Sequence, residues 1–128
     1  MTKDTGVAIH SDALLGKRVL FAIAGGIAAV ESVRLARELR RHQADLTVIM
    51  SEEATKIITP LAVSWGSDTI VHQGWSSEMS QLEAFDLILI APATRNTISK
   101  HLHGIMDSPL LMALSASRGR KSKLCFVP

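Results

Sequence analysis

The feature that most constrains the fold is an apolar run that leads through two glycines directly into a helical pattern. The run VLFAIA at 19–24 contains no polar residue, which is typical of a parallel strand buried on both faces. Gly25 and Gly26 follow, and apolar residues then recur at helical spacing from Ile27 to His42. A buried strand, a tight turn and a helix in this order indicate the first unit of an α/β sheet.

Further strands and helices alternate along the rest of the chain. Strands are predicted at 45–50, 69–72, 86–92 and from 124 onward, and helices from Ser51, from Pro60, over 94–103 and over 108–117. Residues 73–85 carry no clear pattern. The alternation predicts an α/β fold with a three-layer, doubly wound (Rossmann-like) parallel sheet and helices on both faces. Residues 17–128 are expected to form this domain, and residues 1–16 an N-terminal arm.

Composition narrows the class of protein. The chain has 128 residues, of which 47% are apolar and 20% charged, as in one ordinary globular domain. No apolar run is long enough for a membrane span, and no signal-peptide pattern is present. The single cysteine, Cys125, excludes an internal disulfide, favours the cytoplasm and is predicted to be buried. A net charge of +2 with few aromatic residues argues against nucleic-acid binding.

Three predicted strands end in small or hydroxyl-bearing residues, in the sequences AGGIAA (24–29), MSEEAT (50–55) and APATRNT (91–97). Ligands of doubly wound sheets bind at the carboxyl ends of the strands, and helix N-terminal amides there bind phosphate. The pattern is neither G-x-G-x-x-G nor a P-loop, and no acid ends the second strand. A mononucleotide phosphate is therefore favoured over ATP or NAD, although the glycines also fit a simple tight turn.

These motifs, in this order, resemble those of the FMN-binding flavoproteins. The resemblance rests on GGIAA at 25–29, on Ser51 to Thr55 with the following Thr59-Pro60, and on APATRNTISK (91–100) with HGIMDS (103–108). It covers about residues 17–128. The family includes phosphopantothenoylcysteine decarboxylase, flavin prenyltransferases, cysteine decarboxylases of peptide modification, one of the two components of dipicolinate synthase, and dihydromethanopterin reductase.

The resemblance implies FMN as the cofactor and a homo-oligomer built on trimers. It implies FMN phosphate and ribityl contacts at Gly25, Gly26, Ile27 and Ala28, a hydroxyl contact at Ser51, and flavin contacts at Ala93, Thr94, Asn96 and Thr97. Helix capping is an alternative role for Thr94 and Asn96. No metal site is expected, because His101 and His103 are two residues apart and point to different sides of a helix.

The sequence departs from the family pattern in two places. Decarboxylases of the family have a histidine shortly before the third of these strands, but the matching stretch, SSEMSQLEAFD (76–86), has none. Glu78 falls near that position, and His72 lies several residues too early. The family also continues past its last strand with P-x-M-N, so residues after Pro128 are expected to complete the site.

The missing histidine favours a reductase, because an imidazole handles protons near neutral pH and an exposed carboxylate does not. The prediction is an FMN-dependent reductase of the dihydromethanopterin reductase type. Bound FMN would pass electrons from NAD(P)H or a redox protein to a pterin-like small molecule. The alternatives are a phosphopantothenoylcysteine decarboxylase-like lyase, a flavin prenyltransferase and a non-catalytic flavin-binding subunit. No catalytic residue is assigned, and Trp65 and Trp75 remain open between stacking on flavin and packing.

Overall fold

The computed structural model describes residues 6–75, 84–118 and 122–128. Its centre is a five-stranded sheet in which every described pairing is parallel. The strands are β1 (Arg18–Ile23), β2 (Asp45–Met50), β3 (Val71–His72), β4 (Leu87–Ile90) and β5 (Lys123–Phe126), in the order β3-β2-β1-β4-β5. The order reverses between β1 and β4, which defines a doubly wound sheet. The predicted fold class is confirmed.

Five α-helices lie among the described residues: α1 (Ser32–Arg41), α2 (Glu52–Thr55), α3 (Pro60–Ser67), α4 (Arg95–Leu102) and α5 (Pro109–Arg118). The predicted first helix differs at its start, where Ile27–Glu31 form a 3₁₀ turn. Both the hydroxyl and the amide of Ser32 donate to Ala29 O, with the hydroxyl at 2.6 Å. These bonds favour the tighter i→i+3 pattern before the α-helix begins.

Hydroxyl side chains fix the starts of four helices. Ser51 Oγ, Thr59 Oγ1 and Thr94 Oγ1 each accept a hydrogen bond from the amide three residues later, at 3.1–3.2 Å. Ser108 Oγ does the same at 3.3 Å. Such caps each contribute about 1 kcal/mol. They confirm the predicted starts at Ser51, Pro60, Thr94 and Ser108, and three of them stand at the carboxyl edge of the sheet.

The core has two halves, one on each face of the sheet. On one face the side chains of Phe21 and Val48 are fully buried with those of α1 and α3. On the other face Leu20 and Ile88 are fully buried with side chains of α5. The strand β1 is thus covered on both sides, as its unbroken apolar run predicted.

Cys125 is exposed, so the prediction of a buried thiol is wrong. Alternate residues of a strand point to opposite faces of the sheet. In the edge strand β5, Leu124 and Phe126 pack against the second half of the core, and Cys125 points the other way. The apolar sequence of this strand therefore indicated burial on two faces where only one is covered.

The described part of the predicted arm is bonded to the end of α1. The amides of His10 and Leu14 donate to Arg41 O and His42 O, both at 2.9 Å. Ser11 Oγ lies 2.6 Å from His42 Nδ1. These contacts place residues 10–14 along the C-terminal turn of α1.

Glu38 gives this region a testable pH dependence. Its carboxylate accepts from Arg41 at 2.7 Å and lies 3.2 Å from His42 Nε2. The Arg41 hydrogen bond, helped by His42 and opposed by desolvation, lowers the pKa of Glu38 below 4.5. A carboxyl whose pKa is depressed by folding stabilises the fold above its unfolded pKa and loses that effect as pH falls through the folded pKa.

We therefore expect Glu38→Gln to unfold at a lower urea concentration than the parent protein near pH 7. At an acidic pH below the folded pKa of Glu38 the two proteins should unfold together, because the carboxylate is then protonated in both states. Urea unfolding at the two pH values measures this. A difference of the same size at both values would show that Glu38 acts through packing and not through its charge.

Candidate functional site

A cavity of about 550 Å³ opens at the carboxyl edge of the sheet, within the usual size of small-molecule sites. The residues that line it follow β1, β2 and β3 or belong to α4, the α4–α5 loop and the start of α5: Gly25, Met50, Ser51, Glu52, Glu53, Gln73, Gly74, Trp75, Thr94, Asn96, Thr97, Lys100, Asp107, Ser108, Pro109, Leu110 and Leu111. The cavity lies where the topology of the sheet predicts a ligand.

The structure brings five of the nine residues expected to contact FMN into this cavity, namely Gly25, Ser51, Thr94, Asn96 and Thr97. The other four do not line it. Ala93 is buried in the core and Ile27 is 80% exposed. Ala28 lines a separate apolar cavity of about 180 Å³. Gly26 packs against Pro92, where an added Cβ would lie 3.3 Å from the ring.

Protein packing alone requires glycine at position 25. A Cβ added to Gly25 would overlap Glu53 Cβ and would lie 3.2 Å from the Glu53 carbonyl carbon. The start of α2 therefore sits directly over the turn after β1. Packing against α2 thus explains the glycine at position 25 without a ligand, and it places the β1 turn and the start of α2 side by side.

Two backbone amides at this turn have no acceptor within the described residues. The first hydrogen bond of the 3₁₀ turn runs from Ala29 N to Gly26 O at 2.9 Å. The amides of Ile27 and Ala28 precede it and have no backbone partner among those residues. Such amides at the start of a helical segment attract anions.

The first turn of α4 supplies a pair of hydroxyls. Thr94 Oγ1 and Thr97 Oγ1 lie 2.9 Å apart, and Thr94 Oγ1 also accepts from Thr97 N at 3.2 Å. Thr94 is thus a helix cap and a cavity residue at once. One hydroxyl proton joins the two oxygens, which leaves one to donate to a ligand. Asn96 lies between them in sequence, with its side chain exposed at the cavity.

An ion pair lines the cavity farther along α4. Lys100 Nζ donates to Asp107 Oδ2 at 2.8 Å. No role was assigned to Lys100 or to Asp107 from the sequence. Lys100 stands one helical turn after Asn96, so the i, i+4 spacing was a usable signal. Gln73, Gly74 and Trp75 follow β3 in a stretch without periodicity, and no sequence signal placed them at the cavity.

The two histidines at the C-terminal end of α4 contact other residues of the protein. His101 is buried beside Phe126, with ring centroids 5.8 Å apart, and His103 Nδ1 donates to Ser99 O at 2.8 Å.

Within residues 6–75, 84–118 and 122–128, no cluster of histidine, cysteine, aspartate or glutamate could hold a metal ion. No helix in the same ranges is long and apolar enough to cross a membrane. Glu78 lies outside the described residues.

A family model described as Flavoprotein matches residues 7–128. The chain therefore belongs to the Flavoprotein family, and the resemblance drawn from the loop motifs is confirmed. Membership also confirms the predicted flavin cofactor, and FMN is named for two of the solved structures with this fold.

Among curated proteins, the chain is similar to the coenzyme A biosynthesis bifunctional protein CoaBC of Thermococcus kodakarensis. The identity is 42% over 117 residues, which cover 86% of this chain and 29% of the relative. The CoaBC protein of Borreliella burgdorferi is 39% identical over 108 residues, 79% of this chain and 28% of the relative. The chain thus spans less than a third of the length of these relatives.

Among solved structures, AnUbiX in complex with FMN and dimethylallyl pyrophosphate superposes with a TM-score of 0.75 at 18% identity, covering 86% of this chain and 63% of that one. A PPC decarboxylase mutant complexed with pantothenoylaminoethenethiol superposes with a TM-score of 0.63 at 20% identity, covering 78% and 60%. At these identities the likeness concerns the fold.

The prediction of a dihydromethanopterin reductase-type enzyme is wrong. The curated relatives are CoaBC proteins, and the structural neighbours include PPC and cysteine decarboxylases. The expected NAD(P)H or redox-protein donor and the pterin-like substrate depended on that prediction and find no support. The error came from one position. The absence of a histidine near Glu78 was taken to favour a reductase and was given more weight than the three loops that surround the cavity.

Proposed function

We propose that this chain is the FMN-binding part of an FMN-dependent decarboxylase of the phosphopantothenoylcysteine decarboxylase type. The observation that carries the proposal is the 42% identity with a CoaBC protein over 117 residues. The substrate would be a small molecule that carries a cysteine carboxylate. The chain spans 29% of that relative, so the proposal concerns decarboxylation alone and not the relative's whole bifunctional activity.

The residues of the cavity fit FMN. The cavity has a volume of about 550 Å³, which suits a ligand of the size of FMN. The amides of Ile27 and Ala28, two and three residues after the cavity residue Gly25, offer donors to a phosphate. Ser51 and the Thr94–Thr97 pair offer hydroxyls to the ribityl chain or the ring.

We propose these contacts for FMN residue by residue. The amides of Gly25, Ile27 and Ala28 and the Ser51 hydroxyl hold the phosphate end, and Gly26, whose amide donates to Ala24 O at 3.0 Å, contacts it without a side chain in the way. Ala93, Thr94, Asn96 and Thr97 contact the flavin, with the free Thr hydroxyl proton and the Asn96 carboxamide as hydrogen-bonding groups. Bound FMN supplies two-electron redox chemistry at its ring, while these residues bind and orient it.

The test is decarboxylation by the purified protein loaded with FMN. We expect phosphopantothenoylcysteine to be consumed with release of one CO₂ per molecule, measured by mass spectrometry and CO₂ trapping. The matched control is the same protein stripped of flavin, which should be inactive. Unchanged substrate in the presence of FMN-loaded protein would contradict the decarboxylase proposal.

A second candidate is a non-catalytic flavin-binding subunit, favoured by the absence of histidine from residues 76–86, where Glu78 falls near the position of the family histidine. Such a subunit retains FMN and releases no CO₂. The variant Glu78→His separates the two candidates further. CO₂ release gained by this variant would show that the site lacks only the imidazole, whereas release by the parent protein would exclude the non-catalytic role.

We also propose a homo-oligomer built on trimers, as the family resemblance implies. The exposed apolar side chains near the β1 turn support an interface there, since Ile27 is 80%, Val30 51% and Val127 43% exposed. Sedimentation velocity should give a mass of three chains or a multiple, and Val30→Asp should lower it. A parent protein that sediments as a monomer would contradict this proposal.

A further inference from the structure

Trp75 is a large apolar side chain exposed at the wall of the main cavity. The residue is 57% exposed, and it lines that cavity. The chain's other tryptophan, Trp65 on α3, is outside the cavity, and its ring lies under the Arg37 guanidinium, 5.7 Å from the ring centroid. The two indoles therefore differ in their surroundings. The Arg37 guanidinium lies over the ring of Trp65, whereas Trp75 lines the main cavity.

The sheet places Trp75 next to the proposed phosphate contact. Strand β3 pairs in parallel with β2 through Val48↔Val71 and Ile49↔His72. The residues that follow the two strands, Ser51 and Gln73 to Trp75, therefore emerge at the same edge on neighbouring strands. All of them line the cavity into which Asn96 and Thr97 also project.

Gly74 adds an independent observation. A Cβ added to Gly74 would meet no atom of the described residues within 4 Å, in contrast to Gly25, where it would overlap Glu53. The backbone of Gly74 is not in the left-handed region. Among the described residues, neither packing nor backbone conformation requires glycine at this position, and the absence of a Cβ leaves the cavity wall open to close approach of a ligand.

We propose that Trp75 stacks on the isoalloxazine ring of FMN and that Gly74 leaves room for the ring edge. This inference rests on FMN binding in the proposed function. A flat aromatic ring in offset contact with the indole removes apolar surface of both partners from water. Stacking of a base on an aromatic side chain lowers the dissociation constant by about tenfold or more.

The test compares Trp75→Leu with Trp75→Phe, which are both apolar but differ in aromaticity. We expect Trp75→Leu to weaken FMN binding about tenfold and Trp75→Phe only about threefold or less. Bound FMN should fluoresce more brightly in Trp75→Leu, because the stacked indole quenches flavin emission. Trp65→Leu, the matched control, should leave both the affinity and the emission unchanged.

The possible outcomes separate the inference from the proposed function. If the parent protein binds no FMN, the proposed function fails and the stacking fails with it. If the parent binds FMN and the Leu and Phe variants of Trp75 bind it equally with the same emission, only the stacking is overturned. Gly74→Ala should keep its urea unfolding midpoint and bind FMN more weakly, and unchanged affinity would overturn the role of Gly74.

Discussion

Replacing Ser51 with aspartate is expected to weaken FMN binding about 100-fold while the fold stays intact. Ser51 Oγ caps α2 by accepting from Ala54 N at 3.2 Å, and aspartate is an equally good cap. The added carboxylate would face the dianionic phosphate in the cavity. Two unit charges about 5 Å apart near a protein surface repel by about 3 kcal/mol, which corresponds to about two decades in affinity.

Two controls isolate the charge in this experiment. Ser51→Asn caps the helix without a charge and should bind FMN within a few-fold of the parent protein. Riboflavin, which lacks the phosphate, should bind to Ser51→Asp and to Ser51→Asn alike. Titration calorimetry with both ligands gives the four affinities. Equal FMN affinities for the Asp and Asn variants would place the phosphate away from Ser51.

Gly25→Ala is expected to destabilise the protein by about 2–3 kcal/mol and to abolish FMN binding. The new methyl group would overlap Glu53 Cβ, so the start of α2 has to move away from the β1 turn. That movement also displaces Ser51, which caps the same helix. The free energy of unfolding in urea and the FMN affinity measure the two effects.

Gly26→Ala is the matched control for this substitution. Its methyl group would lie 3.3 Å from Pro92, a distance that a shift of a few tenths of an ångström relieves. We expect a loss of less than about 1 kcal/mol, as for other well-tolerated core changes. If both alanine variants were equally stable, the close approach of Glu53 to Gly25 would not be the reason for glycine at that position.

The sequence predicted the fold because each element carries its own local signal. The unbroken apolar run of β1 indicated a doubly covered strand, and Ser51, Thr59 and Thr94 marked helix starts through their capping hydroxyls. Parallel topology then brings the ends of β1, β2 and β4 to one edge without further information. The five expected residues that line the cavity follow from this rule.

The rest of the site depends on contacts between segments that are distant in sequence. Trp75 follows a strand of only two residues, Val71–His72, and its place at the cavity depends on the pairing of β3 with β2. The burial of Cys125 was mispredicted for the same reason, since composition does not tell how many faces of an edge strand are covered. The choice of reaction rested on one missing histidine, whereas a reaction depends on the whole site.

Phosphate binding at the β1 turn is tested most directly by the affinity of the purified protein for FMN compared with its affinity for riboflavin. The two ligands differ only in the phosphate, which the amides at Ile27 and Ala28 and the Ser51 hydroxyl are proposed to hold. We expect FMN to bind about 100-fold more tightly than riboflavin, with the advantage lost in Ser51→Asp. Equal affinities for the two ligands, or no binding of either, would contradict the proposed FMN site.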